Sequence, residues 1–267
     1  MIHTAKKSMG QNFLKSKEAL FKMCEASLLN DKDIVVEIGP GKGALTEKLL
    51  ERASQVIAIE KDRDLIEILN EKFESEIKNK KLILLNQDIL NFDPYKFKIK
   101  EREYKIIANI PYNITGLIIR RFLSEVIKPT SMTLLVQKEV AERIVARDGK
   151  ESILSLSVKA YGEPKYVMKV HKRFFSPAPK VDSAIIHIGN IENKYFKNKD
   201  EEETFFQIIK AGFAHKRKVL RKNLEEMGLN LEKIDEIFLK LDINMKARAE
   251  DIKFDKWILL YNYFCKK

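Results

Sequence analysis

The sequence has few of the residues that build disulfide frameworks and metal centres. Its two cysteines, Cys24 and Cys265, lie at opposite ends of the chain, and its four histidines are scattered. Neither residue type shows the spacing of a zinc site, so the pattern disfavours both a disulfide scaffold and a Cys/His metal centre. We therefore predict no metal. Two distant cysteines suit a reducing compartment, which predicts a cytoplasmic protein.

Long apolar runs are also missing. No stretch approaches the ~18 uninterrupted apolar residues of a membrane-spanning helix. The N-terminus contains lysines but no apolar segment of the kind found in export signals. These absences predict a protein that is neither inserted in a membrane nor exported.

Positive charge, by contrast, is abundant. The 267 residues include 50 Lys+Arg and 39 Asp+Glu, which gives a formal net charge of +11. Such an excess either favours a polyanionic partner, through neutralisation of phosphates, or serves solubility alone. Lys216–Lys218 and Arg221–Lys222 place five cations within seven positions of a predicted helix. This basic cluster is either a contact for an anionic ligand or a solvated helix face.

Short apolar runs alternate with longer amphipathic segments from Ile34 to about Ile188, which is typical of β-α units around a parallel sheet. The last two runs flank a proline-containing loop and predict a closing antiparallel pair. The seven predicted strands are Ile34–Ile38, Val56–Ile59, Leu82–Leu85, Lys105–Ala108, Met132–Val136, Tyr166–Val170 and Ala184–Ile188. Helices are predicted between them, for example at Ala44–Arg52, Asp64–Phe73, Ile118–Val126 and Lys138–Ala146.

This pattern ends at Gly189-Asn190 and the charge-rich stretch Lys194–Glu203. Everything after Thr204 has apolar residues at helical spacing. The helices predicted there are Phe205–Leu224, Leu231–Leu239 and Phe254–Phe264. A chain of this length can form one large domain and a smaller one. We predict an α/β domain over residues 1–190 and a small helical domain over residues 191–267.

A glycine-rich segment, Glu37–Ala44, lies between the first predicted strand and the first helix. Glycines permit a tight turn there and let the backbone approach a ligand closely. Gly39, Gly41 and Ala44 also satisfy the dinucleotide pattern G-x-G-x-x-G/A, which predicts a nucleotide site. An NAD-dependent oxidoreductase is one candidate, and a plain strand-to-helix turn is another.

Acidic residues follow the next two strands. Glu60 lies about twenty residues beyond the glycines, where a carboxylate can accept hydrogen bonds from two ribose hydroxyls. Asp88 follows the third strand and could accept from an adenine amine while Ile89 packs on the ring. Taken alone, Asp88 would more simply be a helix cap. Because the carboxyl ends of parallel strands meet at one edge, these sites and Asn109 are predicted to converge on one crevice.

The segment Asn109–Tyr112 joins an amide, a proline-fixed turn and an aromatic ring directly after the apolar run Ile106–Ala108. The Asn109 side-chain oxygen and a turn carbonyl can accept hydrogen bonds from an exocyclic base amine. The Tyr112 ring offers a stacking face. Taken alone, the segment fits an ordinary strand-to-helix turn equally well, with Pro111 setting φ.

Together these motifs resemble those of the S-adenosylmethionine-dependent ribosomal RNA adenine dimethyltransferases, the KsgA family, over essentially the whole chain. The segments that carry the resemblance, in the order of the family, are Gln11–Leu14, Glu37–Gly43, the acids Glu60 and Asp88, Asn109–Tyr112 and Phe175–Ala184. The resemblance implies a Rossmann-like, seven-stranded class I methyltransferase sheet with a small C-terminal helical domain. Residues 1–190 would then bind S-adenosylmethionine, and residues 191–267 would bind RNA.

The resemblance also implies residue roles. It assigns to the cofactor Asn12, Leu14, Gly39, Glu60, Asp88 and Asn109. It assigns to the target base Asn109, Ile110, Pro111, Tyr112 and Phe175. Asn109 and the Ile110 carbonyl would accept the hydrogens of the amine, while Tyr112 and Phe175 would stack on the two faces of an extruded adenine.

The implied reaction is dimethylation of the exocyclic amine of two adjacent adenosines in small-subunit (16S) ribosomal RNA, linked to small-subunit biogenesis. The partner would be that RNA or an assembly intermediate, and the enzyme a cytoplasmic monomer. Erythromycin-resistance methylases of large-subunit RNA share the N-terminal motifs and are the alternative enzyme. Gln137–Arg143 and Phe213–Leu220 resemble the small-subunit branch, which usually has Tyr-Gly where this chain has Ser152-Ile153.

Two other function classes stay open at this point. A non-catalytic nucleic-acid-binding factor could use the same fold, although an acceptor motif such as Asn109–Tyr112 favours catalysis. An NAD-dependent oxidoreductase would account for the glycines and Glu60. It would leave Asn109–Tyr112 and the basic cluster without a purpose.

Overall fold

The computed structural model describes residues 5–6 and 9–265, without the side chain of Cys265. Any prediction about the pairing of that cysteine lies outside the described residues. The chain forms two compact units, of which the first contains residues up to Ala141 together with Gly162–Glu192. The second contains Glu142–Tyr161 and the residues from Asn193 onward. The predicted boundary at residue 190 lies close to the end of the first unit at Glu192, but residues 142–161 group with the C-terminal residues in the second unit.

Seven strands of the first unit form one sheet. Their spatial order is β4-β3-β2-β5-β6-β9-β7, and β9 runs antiparallel to both of its neighbours while the others are parallel. The strands of the sheet are β2 (Ile34–Ile38), β3 (Gln55–Glu60), β4 (Leu82–Asn86), β5 (Tyr104–Asn109), β6 (Ser131–Gln137), β7 (Glu163–Val170) and β9 (Ser183–Gly189). A separate antiparallel ribbon pairs β1 (Phe13–Leu14) with β8 (Phe175–Ser176).

The predicted fold class is confirmed, including all seven strands and the closing antiparallel pair. The central strands are largely apolar because helices cover both faces of a parallel sheet. Val35, Val36, Val56 and Ile57 are all fully buried. The strand order reverses between β2 and β5, and a crevice opens at such a reversal beyond the carboxyl ends of the strands.

The helices of the first unit are amphipathic and pack on the sheet. They are α1 (Lys17–Ala26), α2 (Ala44–Leu50), α3 (Arg63–Lys72), α4 (Glu74–Lys78) and α5 (Thr115–Ser124), and α6 (Lys138–Val145) continues into the second unit. Asp62 caps α3 by accepting a hydrogen bond from the backbone N–H of Asp64. No helix within the described part of the chain is long and apolar enough to cross a membrane.

The second unit is helical. Its helices are α7 (Ile153–Lys159), α8 (Lys199–Gly212), α9 (Leu220–Glu225), α10 (Leu231–Lys240) and α11 (Phe254–Cys265). Ser152 caps α7 through reciprocal hydrogen bonds with Ser155, so the departure at Ser152-Ile153 falls on a helix start. Helix α8 begins earlier than predicted. Asn198 caps it, and three acidic side chains in its first turn stabilise the helix by interacting with the positive end of its dipole.

The prediction of one continuous helix over Phe205–Leu224 is wrong. The chain leaves the helix after Gly212 and resumes it at Leu220. The Asn223 side chain donates to the carbonyl of Gly212 at 2.5 Å and to that of His215 at 3.3 Å, which stabilises a turn between the two helices. Of the basic cluster, Lys216–Lys218 therefore lies on this turn, and only Arg221 and Lys222 are helical.

Candidate active site

A cavity of about 240 Å³ lies beyond the carboxyl ends of β2, β3, β4 and β5. Five of the six predicted cofactor residues line it, namely Asn12, Gly39, Glu60, Asp88 and Asn109. The sixth, Leu14, lines a neighbouring cavity of about 330 Å³ that shares Phe13, Gly39, Gly41 and Asn109 with the first. Of the predicted target-base residues, the whole segment Asn109–Tyr112 lines the first cavity. Residues far apart in sequence thus meet at one crevice.

The glycines of the loop have different physical roles. Gly39, Gly41 and Gly43 have φ of +66°, +57° and +78°, a region that favours glycine. A Cβ on Gly43 would lie 2.5 Å from the Phe73 ring, so this glycine permits close packing of α2 against α3. A Cβ on Gly39 would meet only the Asn109 carbonyl, at 4.0 Å. Gly39 therefore leaves open space where a ligand can approach the backbone.

Glu60 is 7 % exposed, and protein donors hold its carboxylate. Its Oε2 accepts from the Gly41 N–H at 3.2 Å, and its Oε1 accepts from the Asp62 N–H at 2.9 Å. Burial raises the pKa of Glu60, while these N–H groups oppose the rise. Each carboxylate oxygen can accept a further hydrogen bond. The geometry is therefore suited to binding hydroxyl groups such as those of a ribose.

Asp88 combines two roles that the sequence left as alternatives. Its Oδ1 accepts from the Leu90 N–H at 2.9 Å and so caps the short 3₁₀ turn Ile89–Asn91. Its Oδ2 forms an ion pair with Lys61 at 2.8 Å, and Lys61 lowers the pKa of the carboxyl. Both residues line the cavity. Capping fixes the orientation of a carboxylate that stays ionised and able to accept from an amine.

The Asn109 turn is held from two sides. The Asn109 Nδ2 donates to the carbonyl of Asn12 at 3.1 Å, which leaves Oδ1 as the accepting end of the amide. Tyr112 begins a 3₁₀ turn, and its hydroxyl shares a hydrogen bond of 2.7 Å with Ser183. Ser183 is fully buried at the start of β9. The sequence did not predict this link, although both residues lie in segments that carried the resemblance.

Phe175 does not line either cavity. It lies opposite Leu14 in the β1–β8 ribbon, and its ring is 4 % exposed. The ring belongs to the core cluster that also contains Leu14, Leu20 and Ala19. In this arrangement Phe175 is a packing residue, because stacking on a base would require the ring to leave the core. Its role as a second stacking ring stays a prediction.

Glu37 lies at the neighbouring cavity and is buried, with 1 % exposure. No donor among the described residues reaches its Oε2. Burial raises the pKa of Glu37 from its ordinary 4.5 to about 8, and the charge of Glu60 acts in the same direction. A carboxyl in such surroundings holds its proton at neutral pH.

We expect Glu37 to make the folded state less stable as pH rises. The folded protein retains a proton that the unfolded chain releases above about pH 4.5, so the stability contribution of Glu37 is complete below that pH and is lost as pH rises through about 8. Glu37→Gln should remove this part of the pH dependence. Urea denaturation at pH 5 and pH 8.5 measures it, with the exposed Glu71→Gln as control. Identical pH dependence in Glu37→Gln and wild type would contradict the assignment.

The side chains present fit S-adenosylmethionine. A carboxylate with spare acceptor capacity suits a ribose, and an ionised aspartate beside an apolar side chain suits an adenine amine. Glu60 provides the first, and Asp88 with Ile89 provides the second. The open space at Gly39 would accommodate the part of the cofactor that approaches the backbone.

Comparisons with known proteins agree with this geometry. Residues 2–266 match the family described as ribosomal RNA adenine dimethylase. A ribosomal RNA small subunit methyltransferase A from Fusobacterium nucleatum is 42% identical over 97% of each chain. The protein of the same name from Dehalococcoides mccartyi is 41% identical over 95% of this chain and 86% of that one.

Two solved structures resemble the whole chain. A dimethyladenosine transferase from Plasmodium falciparum superposes with a TM-score of 0.77 at 27% identity, covering 94% of this chain and 97% of that chain. The 23S rRNA methyltransferase ErmE superposes with a TM-score of 0.80 at 25% identity, covering 94% and 99%. The match over nearly every residue establishes that this chain belongs to the ribosomal RNA adenine dimethylase family, whose methyl donor is S-adenosylmethionine.

Proposed function

We propose that this protein dimethylates the exocyclic amine of two adjacent adenosines in small-subunit (16S) ribosomal RNA, as a step of small-subunit biogenesis. The observation that carries the proposal is the position of Asn109–Tyr112, an amine-accepting turn on the wall of the cavity that Glu60 and Asp88 line. Relatives at 35% to 42% identity bear the name of a small-subunit methyltransferase. ErmE, which acts on 23S rRNA, is 25% identical.

The residues of the turn would supply orientation, which is what this reaction needs from the protein. An adenine amine is a weak nucleophile because its lone pair is delocalised into the ring, and the cofactor supplies a methyl group that is already strongly electrophilic. Asn109 Oδ1 and the Ile110 carbonyl would accept hydrogen bonds from the two N–H groups of the amine. These bonds would direct the nitrogen lone pair toward the methyl group of the cofactor. The Asn109 amide is already oriented for this, since its Nδ2 is bonded to Asn12. A proton can leave to water after transfer, so no base of tuned pKa is required.

Tyr112 would stack on the extruded base. Its hydroxyl bond to Ser183 fixes the ring, and burial raises the pKa of the phenol, which therefore stays neutral. We expect Tyr112→Ala to lower kcat/KM for RNA by about 5- to 160-fold, because stacking contributes about 1–3 kcal/mol per base. Tyr112→Phe should retain most activity, since it keeps the ring. Equal losses in both variants, measured by initial rates, would show that the hydroxyl matters and the ring does not.

The basic turn of the second unit would contact RNA phosphates. Lys218, Arg221 and Lys222 form ion pairs with Glu226, Asp235 and Glu225. Lys216 and Arg217 are exposed, and no acid in the described part of the chain pairs with them. We therefore propose Lys216 and Arg217 as the phosphate contacts of this cluster. We propose that the protein acts as a monomer in the cytoplasm, on small-subunit RNA or an assembly intermediate.

The test offers labelled S-adenosylmethionine with three substrates: small-subunit particles lacking the modification, large-subunit RNA, and free oligonucleotides. We expect label to enter the small-subunit particles as dimethyladenosine. Incorporation into large-subunit RNA alone would favour the erythromycin-resistance alternative. Absence of transfer to all three, with RNA binding retained, would favour a non-catalytic binding factor.

A further inference from the structure

A short N-terminal segment forms one wall of the cofactor cavity. We call Met9–Leu14 the strap. Its residues Met9–Phe13 line the cavity together with Glu60, Asp88 and Asn109. A ligand in this cavity would therefore lie against the strap.

The C-terminal end of the strap is seated on the sheet and the glycine loop. The ribbon pairs Phe13 with Ser176, and the Asn12 carbonyl accepts from Asn109 Nδ2. The Phe13 ring packs so closely on Gly41 that a Cβ there would lie 2.9 Å from it. This end of the strap is therefore fixed by packing and by backbone pairing.

The N-terminal side of the strap is held by Asp62 through Gln11 and through Lys6, which precedes the strap and also pairs with Asp64 Oδ2 at 2.7 Å. Gln11 Nε2 donates to Asp62 Oδ2 at 2.7 Å, and Lys6 Nζ donates to Asp62 Oδ1 at 2.6 Å. The Lys6 N–H in turn donates to Gln11 Oε1 at 2.8 Å. An ammonium and an amide thus bind the two oxygens of one carboxylate.

Asp62 itself is built into the cofactor site. Its side chain has no exposed area, which for a charged group requires a partner. Its N–H donates to Glu60 Oε1 at 2.9 Å, so Asp62 also orients the acid assigned to the ribose. Its Oδ1 caps α3 through the Asp64 N–H at 3.2 Å. Asp62 therefore connects three parts of the site: its carboxylate binds the strap and the first turn of α3, and its backbone N–H binds the Glu60 carboxylate.

We propose that Asp62 is a positioning residue that closes the strap over the bound cofactor through Gln11 and Lys6. The inference rests on the proposed cofactor site. The closure must be reversible, because dimethylation uses one cofactor per methyl group and the spent cofactor must leave between transfers. The Lys6 side chain is 36 % exposed, so water reaches its ammonium, and Asp62 Oδ1 keeps the Asp64 N–H as a donor when the strap opens. Opening therefore avoids leaving a buried carboxylate without partners.

The test uses Gln11→Ala and Lys6→Met, which leave Asp62 and the cap of α3 intact. A hydrogen bond to a charged group corresponds to about 10- to 100-fold in an equilibrium constant. We expect each variant to raise the Kd for S-adenosylhomocysteine about tenfold, through faster dissociation, and to raise KM for S-adenosylmethionine with kcat nearly unchanged. Hydrogen exchange of residues 9–14 should lose its protection by S-adenosylhomocysteine. Lys22→Met, which breaks an exposed ion pair on α1, is the matched control.

A double-mutant cycle separates this role from a general loss of stability. In an Asp62→Asn background, Gln11→Ala should have little further effect on Kd, because its partner is already altered. Glu60→Gln tests the cofactor site independently. If Glu60→Gln weakens binding while Gln11→Ala and Lys6→Met bind like wild type, the closure by Asp62 is wrong and the site stands. If Glu60→Gln also binds like wild type, the proposed site itself is wrong.

Discussion

Asn109→Ala will lower the rate of methyl transfer by at least about 100-fold, because a small misplacement of reacting groups has an effect of this size. The variant loses the proposed acceptor of the amine. It also loses the Nδ2 bond to the Asn12 carbonyl, which fixes the orientation of the amide. The effect should appear mainly in kcat, since the amine must be directed at the moment of transfer.

Single-turnover methylation with saturating RNA measures this rate, and calorimetry with S-adenosylhomocysteine measures the separate effect on cofactor affinity. Asn70→Ala is a matched control, because Asn70 is an exposed amide on α3 that lines neither cavity. A rate in Asn109→Ala within a few-fold of wild type would remove Asn109 from the mechanism. An unchanged rate with weaker cofactor binding would leave it with a cofactor role alone.

The double variant Lys216→Gln/Arg217→Gln will bind small-subunit RNA about 25- to 60-fold more weakly at 0.1 M salt. Each phosphate contact contributes about 0.7 to 0.9 to the slope of log K against log salt. Two lost contacts therefore lower K by about 25- to 60-fold at 0.1 M salt, relative to 1 M salt, where the contribution is taken as zero. The two cations lie on the exposed turn between α8 and α9, and Asn223 holds that turn by two backbone carbonyls. A fixed turn loses little freedom on binding.

Filter binding or anisotropy over a salt series checks both the affinity and a decrease of about 1.4 to 1.8 in the slope. Lys222→Gln/Lys240→Gln changes the net charge equally, but both of its lysines are paired with glutamates. We expect a clearly smaller effect from that control. Equal effects in the two double variants would mean that net charge, rather than this turn, determines RNA binding.

Family membership also resolves the alternatives that the glycine pattern left open. The pattern at Gly39, Gly41 and Ala44 is shared by NAD enzymes, and local sequence cannot separate the two cofactors. The match of residues 2–266 to an adenine dimethylase family excludes the oxidoreductase. Gly43 lies outside that pattern, and the close approach of the Phe73 ring requires a glycine at this position.

Two features that local sequence did not predict depend on contacts between distant residues. The break after Gly212 depends on Asn223 and on Trp257, which would lie 2.5 Å from a Cβ at Gly212. The burial of Phe175 depends on Leu14, more than 160 positions earlier in the chain. Periodicity records only how each segment is divided between water and core. It carries no record of a contact between distant residues.

The sequence by itself determined the alternation of strands and helices, because buried parallel strands require continuous apolar runs and surface helices require apolar stripes. It also placed the glycines, Glu60, Asp88 and Asn109 at strand ends, which meet at one edge of any parallel sheet. Only the tertiary structure decided which atoms of these residues are already bonded. The links of Tyr112 to Ser183, of Asp88 to Lys61, and of Asp62 to Gln11 depend on distances across the folded chain, and local sequence does not encode such distances.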